Sequence, residues 1–323
     1  MIETRKSLEN DPRSQRGSLR IAWEIAQRGL HAPALRTIDR IVHRNDLTRK
    51  PERYVSKGKN YPSPLAEFPH EVHQMDIVGP RFLRSAGRFY SINFMDVCTG
   101  KAAINPTRRQ TATDVTCALL DTWQRLGMPR FLQMDNQLPF RGSNRYPHSF
   151  GIVIRICLLQ GVQPLFIPIS EPWRNGVIER FQDVFDKLFF RSQTFPDFEA
   201  LVEQARPFEA FHNEKHVYST RGGRSPNQVE QAAHRPARLL AESYELPENL
   251  YIVPGQVHLV RFIRSDRRLD TFGQKFVMPS DLVYEYVTAT IDTGAGRLFV
   301  KHDNRVCWEA EYAIPKTPMP APR

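Results

Sequence analysis

Three carboxylates stand out by their placement in this 323-residue sequence. Asp76 lies inside the run His-Gln-Met-Asp-Ile-Val-Gly, Asp135 follows Phe-Leu-Gln-Met, and Glu179 falls within Glu-Pro-Trp-Arg-Asn-Gly-Val-Ile-Glu-Arg-Phe. A charge inside an apolar strand-like run is costly unless something compensates it, and a metal ion is one such partner. Hard divalent cations take oxygen ligands, and two of them held by shared carboxylates clamp the attacking and leaving oxygens of an in-line phosphoryl displacement. Asp76 would be the bridging ligand. Taken singly, each acid has a more ordinary reading as a strand-end turn or helix-cap carboxylate. The ordered set is what raises the metal reading.

The intervening pattern supplies the elements that must converge these residues. Glu71–Val78, Arg88–Val97 and Lys101–Thr107 read as strands, and Thr111–Leu126 reads as a helix whose first Thr and Asp suit capping. A strand at Arg130–Met134, a helix around His148–Leu159, a strand at Gln163–Pro168 and a long helix over Asn175–Phe190 follow. Such an order predicts a mixed α/β sheet with flanking helices, with the acids at one sheet edge.

At this point the sequence resembles the DDE catalytic core of insertion-sequence transposases and retroviral integrases. The resemblance rests on Asp76, Asp135-Asn136 and Asn175-Gly176-Val177-Ile178-Glu179-Arg180, then Phe211-His212-Asn213 and Arg224-Ser225-Pro226, and it covers about residues 67–230. It departs from the family at Gln137, where many members have Gly, and in a longer gap between Asp135 and Glu179, assigned to a polar loop over Pro139–His148. Only His31 and His43 occur in the N-terminal part, too few for the His/Cys zinc module of retroviral integrases, which favours a transposase. The resemblance implies a ribonuclease-H-like core with Asp76, Asp135 and Glu179 as catalytic residues and ligands of two Mg²⁺ ions, with Mn²⁺ as a substitute. It also implies hydrolysis at a transposon end followed by direct attack of the freed 3′-OH on target DNA, with no covalent protein–DNA intermediate.

Flanking modules fit the same frame. Lys and Arg number 45 against 35 Asp and Glu, a net +10 with a pI near 9.6, which suits a polyanionic partner. Residues 1–60 hold fourteen basic and seven acidic residues, so most of the excess sits there. Residues 1–16 read as a mobile tail and 17–50 as a helix-turn-helix. Its second helix sets Leu35, Ile38, Ile41 and Val42 on one face and Arg36, Arg40 and Arg44 on another. A solvated basic face is the plainer reading of that stripe. Residues 51–66 read as a basic linker, 67–230 as the core, 231–250 as a connector, 251–314 as a small β-barrel and 315–323 as a disordered tail. The barrel's basic edge, Arg261, Arg264, Arg267 and Arg268, suits DNA or protein equally.

Smaller expectations complete the picture. Arg174 and Arg180 suit phosphate contacts or a solvated helix face. Asn136 and Asn175 suit ligand hydrogen bonds or a turn and a helix start, and Trp173 suits base stacking or, better, core packing. Cys98, Cys117, Cys157 and Cys307 form no CxxC pair, so the chain reads as reduced and zinc-free. Neither a signal peptide nor a membrane span is expected, and a prokaryotic cytoplasmic, nucleoid-associated location follows from the resemblance. His148, His212, His216, Ser170 and Ser225 supply a rival hydrolase chemistry, but no GxSxG or HExxH is present. The partners expected are double-stranded DNA, as transposon ends and target, and at least a second copy of the chain. The alternative is a domesticated, non-catalytic DNA-binding protein on the same fold.

Overall fold

A computed structural model describes residues 1–47, 62–84, 86–143 and 150–322. Most of the expected basic linker, the last residues of the expected helix-turn-helix, and His148 lie outside the described residues.

Three short helices open the chain: α1 (Ile2–Asn10), α2 (Ser18–Gln27) and α3 (Leu35–Arg44). The first replaces the mobile tail expected over residues 1–16. Leu8 packs with Ile21, Ile25, Ile38 and Val42, and buried Arg5 pairs with Glu9 and donates to the Leu47 carbonyl. A single apolar anchor seated in a ready cluster suffices to hold α1, which a count of apolar residues in isolation misses. The unit docks on the core through Trp23, whose indole N–H donates to Gln228, and through Gln15, which accepts from the Val217 amide.

The core begins with β1 (Val72–Leu83), β2 (Gly87–Asp96) and β3 (Ala102–Thr107), an antiparallel meander. Helix α4 (Ala112–Arg125) follows, with the expected cap realised as a Thr111–Asp114 capping box. Then come β4 (Phe131–Met134), α5 (Leu138–Arg141), α6 (Ile152–Leu159), β5 (Gln163–Phe166), α7 (Gly176–Phe185), α8 (Phe198–Lys215) and α9 (Pro226–Ala232). Strands β1, β4 and β5 run parallel, giving the order β3-β2-β1-β4-β5. This mixed sheet with flanking helices fits the ribonuclease-H-like expectation.

Strand alternation divides the sheet into two faces. Met75, Ile77, Ile92, Phe94, Leu132 and Met134 pack with residues of α4 and α6, while Val78, Phe89, Met95 and Ile104 pack with α7 and α8. On that second face, nearer the carboxyl ends of β1 and β4, the same alternation places Gln74, Asp76, Gln133 and Asp135. Side chains of α8 finish the outer rim of β3. Asn213 accepts from the Ala102 amide and donates to its carbonyl, Glu209 accepts from the Ile104 amide, and Arg206 donates to the Ile104 carbonyl.

The C-terminal strands depart from the expected self-contained barrel. They are β6 (Asn249–Leu250), β7 (Gln256–Phe262), β8 (Arg268–Thr271), β9 (Gln274–Val277), β10 (Tyr286–Asp292), β11 (Arg297–His302), β12 (Arg305–Glu311) and β13 (Met319–Pro320). Strand β7 pairs parallel with β5 through Leu165–His258 and Phe166–Leu259, so β7, β10, β11 and β12 extend the core sheet to nine strands. Strands β8 and β9 form a separate hairpin. The cause is the open edge of β5, an apolar strand whose unmade backbone bonds β7 supplies. The described part of the expected disordered tail over 315–323, residues 315–322, is held as well. Strand β13 pairs with β6, and buried Arg155 donates to the carbonyls of Leu250 and Thr317.

Candidate active site

Register brings the first two carboxylates to one level. Gln74 on β1 is paired with Gln133 on β4, and Asp76 and Asp135 each lie two residues further along their parallel strands. Neighbouring strands are about 4.8 Å apart, so both side chains leave the same face side by side at the carboxyl end of the sheet. A ring of buried amides then fixes α7 above them. The Gln74 Oε1 accepts from the backbone amides of Val177 (3.1 Å) and Ile178 (2.9 Å), capping two otherwise orphaned donors at the helix start. Asn175 donates to the Met75 carbonyl and accepts from Gln133, joining β1, β4 and the turn before α7. Glu179 sits in the first turn of this helix. One turn further along the same face, Gln182 donates to the Asp76 carboxylate.

Asp135 and Glu179 both lie near enough to Asp76 for their charges to act on it. Burial, helped by the charges of Asp135 and Glu179 and opposed by the hydrogen bonds from Gln182 and the Ile77 amide, raises the Asp76 carboxyl to about 6. Burial raises Asp135 too, opposed by two hydrogen bonds from Gln137, and burial raises Glu179. Among the described residues, no Lys or Arg forms a salt bridge with any of the three. A partly buried cluster of oxygen donors whose negative charge has no cationic side chain fits a hard divalent cation.

The extra length between Asp135 and Glu179 does not disturb this arrangement. The Gly151 amide donates to the Arg141 carbonyl, and Gly142, at φ +96°, touches Gly151 so closely that a Cβ on it would lie 2.7 Å from the Gly151 Cα. The excursion therefore leaves and returns at one point. The polar loop expected over Pro139–His148 begins instead within a short helix, α5, with buried Phe140, and residues 144–149 lie outside the described residues.

Other expected residues are distributed differently. Arg174 donates to Glu171 (2.9 Å) and to the Tyr286 hydroxyl (3.2 Å), so its guanidinium serves the contact between the turn before α7 and β10. Arg180 is exposed on α7. Trp173 is 47% exposed and is not a core residue. Asn136 donates to the Ile167 carbonyl and accepts from Arg261, which is itself buried and bonded to carbonyls instead of lining a basic edge. Arg36, Arg40 and Arg44 are all exposed, on the face of α3 opposite buried Ile38 and Val42. The rival hydrolase set does not assemble. The Ser225 hydroxyl caps α9, and His212 is buried between Asn213 and Tyr218, its pKa lowered to about 4 by burial.

Sequence reasoning overlooked Gln74, Gln133 and Gln182. Their signal was present: Gln74 and Gln133 stand two residues before a strand carboxylate, on its own face, and Gln182 stands one helical turn after Glu179.

No model of a known protein family matches the chain, and no curated protein does. Among solved structures, it is similar to the catalytic core domain of HTLV-2 integrase in complex with magnesium, in its trimeric form. There the identity is 15% over 50% of this chain and 97% of that one, with a TM-score of 0.39. It is also similar to a chain of the simian T-cell lymphotropic virus intasome in complex with PP2A regulatory subunit B56 gamma, at 14% identity over 95% of this chain and all of that one, TM-score 0.45. A third is the catalytic core domain of BIV integrase, at 17% identity over 50% of this chain and 95% of that one, TM-score 0.38.

Proposed function

We propose that this chain is a DDE transposase, a metal-dependent polynucleotidyl transferase that cleaves transposon-end DNA and joins the 3′-OH to a target. The observation that carries the reading is that Asp76 and Asp135 leave adjacent parallel strands at one sheet end below the first turn of α7, which carries Glu179, with no Lys or Arg salt-bridged to any of the three among the described residues. Asp76, Asp135 and Glu179 are the residues that would hold Mg²⁺ or Mn²⁺, two ions in the family's scheme. When bound, such ions make water or a 3′-OH nucleophilic and stabilise charge on the transferred phosphoryl group.

The chain's own residues do the positioning. Gln182 and Gln137 orient the carboxylates of Asp76 and Asp135, and the Gln74 cap fixes the turn that carries Glu179. Arg36, Arg40 and Arg44 supply a row of cations one helical turn apart for the end DNA, with Arg180 nearer the acids. Two ends are joined in one event, so the active complex needs at least two copies of the chain. No helix among the described residues is long and apolar enough to cross a membrane. A transposase acts where the DNA is, which for a prokaryotic mobile element is the nucleoid.

The deciding experiment is a Mg²⁺- or Mn²⁺-dependent nicking and strand-joining assay on DNA from the gene's flanks, comparing wild type with Glu179→Gln. Metal-dependent joining in the wild type, lost in the variant while end binding persists, is the expected result. Binding without cutting in both proteins and both metals would favour a non-catalytic DNA-binding protein on the same fold.

A further inference from the structure

A second cluster of metal-ligating side chains lies away from the carboxylates. His70 and His73 flank the start of β1, and Asp96 ends β2 directly across the ladder from His73. All three are buried, and a ligand atom of each lies within 4.8 Å of the other two. The His70 Nδ1 and His73 Nε2 face each other at 3.2 Å. Zn–N bonds of about 2.0–2.1 Å in tetrahedral geometry place two ligand nitrogens about 3.3 Å apart, so this pair is already spaced as neighbouring ligands. A ligand oxygen of Asp96 lies within 4.8 Å of both nitrogens and would close on them when an ion binds.

The surroundings prepare the donors. Glu230 on α9 takes the other ring nitrogen of His70 at 3.0 Å and is itself held by Lys101 at 2.6 Å. That contact sets the His70 tautomer with the proton on Nε2 and leaves the Nδ1 lone pair facing His73, as a carboxylate does behind a metal-bound histidine. The Thr99 hydroxyl and the Cys98 amide orient the Asp96 carboxylate. His73 is fully buried with its Nε2 turned toward His70, and its Nδ1 has no hydrogen-bond partner, so the ring meets the protein's polar groups only on the side where the ion would sit.

We propose that His70, His73 and Asp96 bind one structural zinc ion that ties the start of β1 to the end of β2 and, through Glu230, to α9. Imidazole nitrogens select zinc over magnesium, which separates this site from an all-carboxylate one. Three protein donors leave the fourth tetrahedral position to a water, and burial of all three protein donors favours a structural over a catalytic role. Helix α9 also carries Gln228, the acceptor for Trp23 of α2, so the ion sets the platform on which the N-terminal helices dock. Such a site needs no cysteine, the feature on which the zinc-free expectation rests, and its histidines are those of His70-Glu-Val-His73.

The test uses the full chain with any affinity tag removed, stripped with a chelator and titrated with Zn²⁺, and with Co²⁺ as a spectroscopic probe. One tightly held zinc per chain is expected in the wild type and equally in Glu179→Gln, with tetrahedral Co²⁺ absorption. Affinity should fall tenfold or more in His73→Ala and in Asp96→Asn, and chelation should lower the melting temperature of the wild type only. A stripped, folded wild type that takes up no stoichiometric zinc overturns the proposal even if the variants do not fold. So does zinc binding that disappears in Glu179→Gln, which would assign the ion to the other site.

Discussion

Asp76 carries the electrostatic cost of the candidate active site. Its carboxyl titrates near 6 in the folded chain against an ordinary value of 3.8. Because the folded value is raised, the metal-free protein has no penalty from this group below about pH 4 and accumulates one as pH rises through 6. The shift corresponds to 2–3 kcal/mol at order of magnitude. Asp76→Asn should therefore stabilise the metal-free protein at pH 7.5 and have little effect at pH 4, measured by thermal melting at both values. Added Mg²⁺ should stabilise the wild type more than the variant. The three acids were legible in the sequence because a charge inside an apolar run is anomalous. Gln74 and Gln133 were not, because an amide in a strand is ordinary until its hydrogen bonds to a distant helix are known.

At the scale of elements, α7 and α3 make separate claims. The amides of Val177 and Ile178 are satisfied by one atom, Gln74 Oε1. Gln74→Leu keeps the bulk and leaves those donors without their acceptor, at about 1–3 kcal/mol for a buried unsatisfied group. Denaturant unfolding should show that loss, and strand joining should drop because Glu179 is no longer held, while end binding is unchanged. For α3, replacing Arg36, Arg40 and Arg44 with Ala should weaken end binding and flatten its salt dependence. The slope of log K against log salt should fall by about 0.9 for each phosphate contact removed. Equal affinity and slope in the triple variant would leave the stripe a solvated face. Both helices were readable from periodicity, as was the Thr111 cap of α4. Helix α1 was not, since one leucine has meaning only beside the cluster formed by α2 and α3.

Across the whole molecule, strand positions in the C-terminal third were readable from alternation, but their partners were not. Pairing of β7 with β5 depends on an edge that local sequence does not announce. Deleting residues 251–323 would expose that edge and take the Thr317 acceptor from buried Arg155. The fragment should aggregate in size-exclusion chromatography, and a soluble, cooperatively unfolding monomer would contradict the continuous sheet. The two rims of that sheet are unlike. Side chains of α8 occupy the donors and acceptors of β3 where a tenth strand would bond, whereas β12 pairs on one side with β11 and is largely exposed. A ribbon with one blocked margin cannot propagate. An edge-to-edge contact through β12 closes as a two-fold pair and stops there, so the geometry that shields β3 also sets a ceiling of two on assembly through the edges of this sheet.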